Sequence, residues 1–314
     1  MAETMTTNLI EAKSLTKLYG TVIGVNDVNL ELGPGVRGLL GPNGSGKSTL
    51  LKLVTGQLRP TEGTVRVLGR KPWNHPALFR RVGFCPEQDA FYSFLTAFEF
   101  VCALAELSGF GRAEAKTRAE ATLERVGATA FMHRPIATYS KGMRQRTKVA
   151  QALVHDPEFV ILDEPLTGTD PVGRREMIEL VQSLGEEGKS VLVSSHVLHE
   201  VEAMTDEFLL IHGGRVLASG SVEEIRALLS DAPHRIEIRA DSTRRAAARL
   251  LEALPVEGIE VSEEAGRIRV QTRSPLEFFE GVARLVSEGD VVIHEMHSQD
   301  DDLSAVFHHL VTRV

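Results

Sequence analysis

Two short stretches carry residue types that can act on a phosphate ester. Residues 41–49 read GPNGSGKST and match the pattern G-x-x-x-x-G-K-[ST], with Gly41, Gly46, Lys47 and Ser48 at the fixed positions. Glycines, here Gly41, Gly44 and Gly46, let successive backbone N–H groups curl around phosphate oxygens, and the start of the following helix adds a partial positive charge. Pro42, Asn43, Ser45 and Thr49 complete this cofactor-binding stretch. Lys47 is a point charge for the β- and γ-phosphates, and the Ser48 hydroxyl can ligate Mg²⁺. Residues 160–165 read VILDEP, an apolar run ending in two carboxylates. At the end of a buried strand beside the phosphate loop, Asp163 can hold Mg²⁺ through water. Adjacent strand residues point to opposite faces. At the strand end, however, Glu164 can turn toward a γ-phosphate and orient a water as general base. An Asp-Glu pair at a strand end is common; 116 residues (163 minus 47) beyond a phosphate loop it acquires a meaning.

These residues need a scaffold, and the hydrophobic pattern supplies one. NLIEAKSL and VNDVNLEL alternate as half-buried strands do. GVRGLL runs into the phosphate loop and a helix, KSTLLKLVTG, and GTVRVLG and RRVGFCPEQ are further strands. From about residue 91 to 155 the periodicity turns helical, in LTAFEFVCALAEL, GRAEAKTRAEATLERVG and KGMRQRTKVAQALVH, which predicts a helical subdomain inserted between strands. EFVILDEP and KSVLVSSH then read as strands buried on both faces. DPVGRREMIELVQSL opens with an acid and proline at the first helical position, a helix start. VLHEVEAM predicts a short helix and EFLLIHGGRVLASG a hairpin turning at Gly213-Gly214. Strands alternating with helices predict a mostly parallel α/β core.

LSDAPH, residues 229–234, reads as a linker, placing one domain at 1–229 and a second at 230–314. The order strand–helix–strand–strand–helix–strand after it fits a small α+β, ferredoxin-like domain, closed by a last helix through DDLSAVFHHLV. The late histidines His294, His297, His308 and His309 do not make a metal site in this reading. The first two point to opposite faces of a strand, and the second two diverge on a helix.

Composition narrows the class. The chain has 314 residues, 42% of them hydrophobic and 25% charged, as in a folded globular protein. A net charge of -8 argues against a general nucleic-acid binder. Two cysteines, Cys85 and Cys102, offer no disulfide framework, so a reducing cytoplasm is expected. MAETMTTNLI lacks the pattern of a secretion signal, and no apolar run is long enough for a membrane span, so any spanning part would come from another chain.

One stretch between the two phosphate motifs remains: ATYSKGMRQR, residues 137–146. Ser140 is a good helix N-cap in any protein. Gly142 in the first turn, though, costs about 0.5–1 kcal/mol against alanine, which close approach of the backbone to a ligand would justify. With this stretch in place, residues 8–229 resemble the ATP-binding subunits of ABC transporters. In that family YSKGM takes the place of the LSGGQ signature, and the resemblance implies that Ser140, Lys141 and Gly142 bind the γ-phosphate of ATP held on the P-loop of a second copy. Lys141 replaces the first signature glycine and Met143 the glutamine, and this variant looks like that of ABC-2-type exporter ATPases. Other family positions map singly. Tyr19 resembles the aromatic that stacks on adenine, and Gln88 the glutamine that reaches Mg²⁺ and the attacking water. Asp170 resembles the residue of the loop that crosses the dimer interface, and is also a good N-cap. His196 resembles the switch histidine that contacts the γ-phosphate. Thr169 stands where leucine is usual.

The resemblance implies a P-loop NTPase fold of the ABC type: a mostly parallel sheet, an antiparallel β subdomain and a helical insertion. It implies an ATPase with Glu164, His196, Gln88 and Lys47 as catalytic residues and Ser48, Gln88 and Asp163 around Mg²⁺. The expected partners are a second copy of the chain, clasping two composite ATP sites, and a separate transmembrane permease. That places the protein in the cytoplasm, on the inner face of the membrane, with no nucleic acid expected. The accessory domain resembles that of the same exporter subgroup. A non-transport ATPase is the alternative, but chromosome-type members need long coiled coils between the motifs and ribosome-type members usually carry two cassettes. An import ATPase with a regulatory tail is the other.

Overall fold

The computed structural model describes residues 8–221, 224, 234–263 and 266–298. They fall into two compact units, residues 1–222 and 223–314.

The first unit opens with two long antiparallel strands, β1 (Ile10–Tyr19) and β2 (Val22–Leu32). Both outrun the alternation read from the sequence. Ser14 and Asp27 adopt left-handed backbone (φ 44° and 48°) at irregularities that break the period-two pattern without ending the strands. β3 (Val36–Leu40) leads through the phosphate loop into α1 (Lys47–Val54), and β4 (Glu62–Val67) pairs with β1 to complete a three-stranded sheet. A short helix, α2 (Pro76–Phe79), precedes β5 (Val82–Cys85). β5 is shorter than RRVGFCPEQ suggests, which leaves Gln88 on a loop.

Three helices follow: α3 (Ala97–Leu107), α4 (Arg112–Arg125) and α5 (Lys141–Leu153). α3 starts with a capping box in which the Thr96 hydroxyl accepts from Glu99 N–H at 3.1 Å and the Glu99 carboxylate accepts from Thr96 N–H at 2.9 Å. Then come β6 (Phe159–Asp163), α6 (Pro171–Glu186), β7 (Ser190–Ser195), α7 (Leu198–Glu202) and the hairpin of β8 (Glu207–His212) and β9 (Arg215–Ser221). The large sheet runs β5-β6-β7-β3-β8-β9, parallel except for the last antiparallel pair. β3 and β6 are each adjacent to β7, so the phosphate loop and VILDEP emerge at the same end of the sheet.

Parity along β6 decides which core each side chain joins. Val160 and Leu162 pack with Phe100, Val101, Val149 and Leu153 of the helical segment. Phe159 and Ile161 pack on the other face with Leu50, Leu51 and Leu53 of α1 and with Ile10 and Leu15 of β1. Asp163 continues the second series, so strand geometry alone aims it toward α1.

The second unit has the predicted order: β10 (His234–Ala240), α8 (Thr243–Ala253), β11 (Gly258–Ser262), β12 (Arg267–Thr272), α9 (Pro275–Ser287) and β13 (Ile293–Ser298). Its antiparallel sheet runs β11-β12-β10-β13, the ferredoxin-like arrangement, over a core of Ile236, Ile238, Leu250, Ile268, Val270 and Phe278. His234 opens β10 rather than closing a linker; the rest of LSDAPH lies outside the described residues, as do DDLSAVFHHLV, His308 and His309. His294 pairs with Asp241 at 2.5 Å and His297 with Glu295 at 2.7 Å.

Candidate functional site

The phosphate loop folds as its glycines require. Gly46, the N-cap of α1, has φ 107°, and a Cβ there would lie 2.5 Å from the Gly24 carbonyl oxygen. Only glycine combines that backbone with that approach. Lys47 is 6% exposed, and its Nζ donates to the carbonyls of Gly41 at 2.7 Å and Pro42 at 3.4 Å. The Ser45 hydroxyl is buried with no protein partner. The ring edge of Tyr19 lies close to Thr49 across Gly24, whose added Cβ would meet both side chains at 2.8 Å.

Asp163 and Glu164 split as their positions demand. Burial pushes the Asp163 carboxyl above its ordinary range, the charges of Glu87 and Glu164 add to the effect, and hydrogen bonds from the Ser194 and Ser48 hydroxyls oppose it. Ser194 Oγ donates to Asp163 Oδ1 at 2.6 Å and accepts the Glu164 N–H at 2.9 Å. Glu164 has φ 50°, a left-handed conformation that ends the strand alternation and returns its side chain to the phosphate-loop side. Its Oε1 lies 3.3 Å from Lys47 Nζ without hydrogen-bond alignment, which leaves that oxygen buried and unpartnered. Its Oε2 lies 2.9 Å from His196 Nδ1 and accepts from Thr167 Oγ1 at 3.4 Å. One strand end therefore gathers Lys47, Ser48, Asp163, Glu164 and His196.

The remaining candidates sit at helix starts and on one loop. The Ser140 hydroxyl caps α5 by accepting Met143 N–H at 3.3 Å, and Asp170 caps α6 by accepting Gly173 N–H at 2.9 Å. Lys141 is exposed and crosses Gly168, where a Cβ would meet its Cδ, Cε and Nζ at 2.2, 2.4 and 2.6 Å. The signature lysine thus contacts the loop of Asp170 within its own chain. Gly142 is the second residue of α5, and Gln88 is exposed on the loop beyond β5. That loop leaves the sheet beside Asp163, because Cys85 is paired with Leu162.

These residues fit a nucleoside triphosphate with a divalent cation. Two buried oxygens at the loop, Ser45 Oγ and Glu164 Oε1, accept no hydrogen bond from the protein, and a hydroxyl and a carboxylate, Ser48 and Asp163, stand together as hard oxygen donors. Sequence reasoning missed Ser194 and Thr167. Ser194 had a visible signal, since a serine inside the apolar run of KSVLVSSH needs a buried partner.

Known proteins resemble this chain in sequence and in fold. The ABC transporter family profile matches residues 25–167. An uncharacterized ABC transporter ATP-binding protein of Synechocystis is 40% identical over 228 residues, 69% of this chain and 64% of that protein, so this chain spans just under two thirds of that relative's length. The daunorubicin/doxorubicin resistance ATP-binding protein DrrA of Streptomyces peucetius is 34% identical over 252 residues, 80% of this chain and 76% of DrrA. Among solved structures, the dimeric structure of a bacterial ABC transporter cassette superposes with TM-score 0.63 at 26% identity, covering 68% of this chain and 98% of that one. With its phosphate loop, its left-handed strand-end glutamate and relatives of this identity and coverage, the chain belongs to the ATP-binding proteins of ABC transporters.

Proposed function

We propose that the protein is the ATP-hydrolysing subunit of an ABC exporter and drives a separate transmembrane permease by closing on a second copy of itself. The observation that carries this reading is Glu164, turned by its left-handed backbone into contact with both Lys47 and His196. In that position its carboxylate takes a proton from a water directed at the γ-phosphate, while His196 Nδ1 orients the Oε2 edge. Lys47 exchanges its bonds to the Gly41 and Pro42 carbonyls for phosphate oxygens. Ser48, Asp163 and Gln88 would hold Mg²⁺, which would supply charge neutralisation on the phosphate oxygens.

Ser140, Lys141 and Gly142 of one copy, with its Asp170 loop, complete the site of the other, and Tyr19 stacks on the base. Support for a dimer comes from the likeness to a cassette solved as one; support for export comes from the relative named for drug resistance. No helix among the described residues is long and apolar enough to cross a membrane, so the permease is a separate chain in this reading. ATP holds the closed dimer through contacts that only the γ-phosphate makes, and hydrolysis releases it. Docked on that permease, the subunit works at the cytoplasmic face of the membrane.

Glu164→Gln protein tests the reading. With ATP and Mg²⁺ it elutes as a dimer by light scattering and hydrolyses at least about 100-fold more slowly than the wild type. A variant that stays monomeric under those conditions overturns the composite site.

A further inference from the structure

Lys148 is a buried ammonium that none of the phosphate chemistry uses. It lies on α5 one turn beyond Arg144, and it is 3% exposed. A lysine in that position needs partners, since an unpaired buried charge is strongly disfavoured. Its partners flank one residue. Nζ donates to the Glu87 carbonyl at 2.6 Å and lies 3.3 Å from Asp89 Oδ1. Arg144 Nε holds the other carboxylate oxygen, Asp89 Oδ2, at 2.8 Å, and the same guanidinium donates to the Tyr139 carbonyl, just before Ser140. Between Glu87 and Asp89 sits Gln88, itself exposed. The contact continues toward β5, where Gln145 donates to Cys85 Sγ at 3.7 Å and Gln151 to the Phe84 carbonyl at 3.4 Å.

We propose that Lys148 and Arg144 are positioning residues for Gln88: they clamp the chain on both sides of it and make its loop move as one body with the first turns of α5. The inference rests on the reading of Gln88 as a site residue. Two consequences follow. The Gln88 side chain projects from a fixed backbone, although its loop has no secondary structure of its own. A displacement of that loop also carries Tyr139 and Ser140 with it, because Arg144 touches both segments. A change at Gln88 in one site is thereby delivered to the signature face that the same chain offers to the other site.

Hydrogen–deuterium exchange on the full-length, nucleotide-free chain tests the clamp without hydrolysis. Asp89→Asn, at a half-exposed position, removes the charge shared by Arg144 and Lys148; the amides of residues 87–91 then exchange about 2–5-fold faster, while those of α1 do not change. Lys148→Met gives a larger effect in the same peptide, and Lys148→Arg restores most of the protection. If Lys148→Met does not fold, Arg144→Gln takes its place. The ATPase assay supplies the functional arm: Asp89→Asn lowers kcat about 3–10-fold with KM for ATP unchanged, because nucleotide is bound by the P-loop and released there. Unchanged exchange at 87–91, or acceleration spread equally over α1, overturns the clamp. Faster exchange with an unaltered kcat overturns the positioning role. Faster exchange in a chain whose wild type does not hydrolyse ATP keeps the clamp and removes the ATPase reading.

Discussion

Ser194→Ala isolates the hydroxyl on which both strand-end carboxylates depend. Ser194 is 0% exposed, donates to Asp163 at 2.6 Å and accepts the Glu164 N–H at 2.9 Å. A hydrogen bond to a charged group contributes about 1.5–3 kcal/mol, and a buried N–H left unpaired costs about 1–3 kcal/mol. The two losses overlap, since Asp163 keeps its bond from Ser48 and can take up a proton, so the expected destabilisation is about 2–4 kcal/mol. For a unit of this size each kcal/mol lowers Tm by about 2–4 °C, giving a fall of about 5–15 °C. Calorimetry on the full chain reads it. The variant also loses ATPase activity, because the Glu164 N–H no longer anchors a left-handed backbone that costs about 1–2 kcal/mol for a residue with a Cβ. A Tm within about 1 °C of wild type would refute the reasoning, because buried polar groups cannot lose their partners without effect.

Two further outcomes follow from the same site. Asp163 holds its proton to a higher pH than an exposed aspartate, first through burial and then through the Glu87 and Glu164 charges. Its folded-state affinity for the proton exceeds the unfolded one, so this group favours the metal-free fold at low pH and loses that advantage as pH rises through the raised value. In the proposed site Mg²⁺ binds the Asp163 carboxylate, so metal affinity, measured calorimetrically with a non-hydrolysable analogue, weakens as pH falls through that value. Glu87→Gln moves the midpoint downward, and an unmoved midpoint contradicts the assigned cause. At the signature helix, Gly168→Ala places a methyl against Lys141 at φ 75° and costs about 1–2 kcal/mol for the backbone alone, plus whatever displacing Lys141 adds. In a Lys141→Ala background only the backbone cost remains; equal losses in both backgrounds, by thermal unfolding, would show that the lysine does not lie there in solution.

Much of this site was legible because it is written in local sequence. GPNGSGKST specifies its own loop through glycines, and the apolar run of VILDEP reads as a strand buried on both faces, whose parity fixes Asp163. The βαββαβ order of the second unit was likewise carried by alternation and helix periodicity. What escaped was non-local or against the period. Glu164 turns back only because one residue enters left-handed backbone, which no glycine announces. Ser194, thirty-one residues from Asp163, meets it only when β6 and β7 pair. Lys141, facing triphosphate in the sequence reading, crosses Gly168 of its own chain, a contact no spacing rule contains.

Lys47 gives the loop a resting state of its own. Its ammonium, hydrogen-bonded to the Gly41 and Pro42 carbonyls, acts as an internal plug that ties two carbonyls of the loop to one nitrogen. Ligand entry is then a swap of oxygens around one nitrogen rather than the ordering of a slack segment. In the proposed cycle departure re-seats the plug, and the empty loop meets its next ligand without refolding anything.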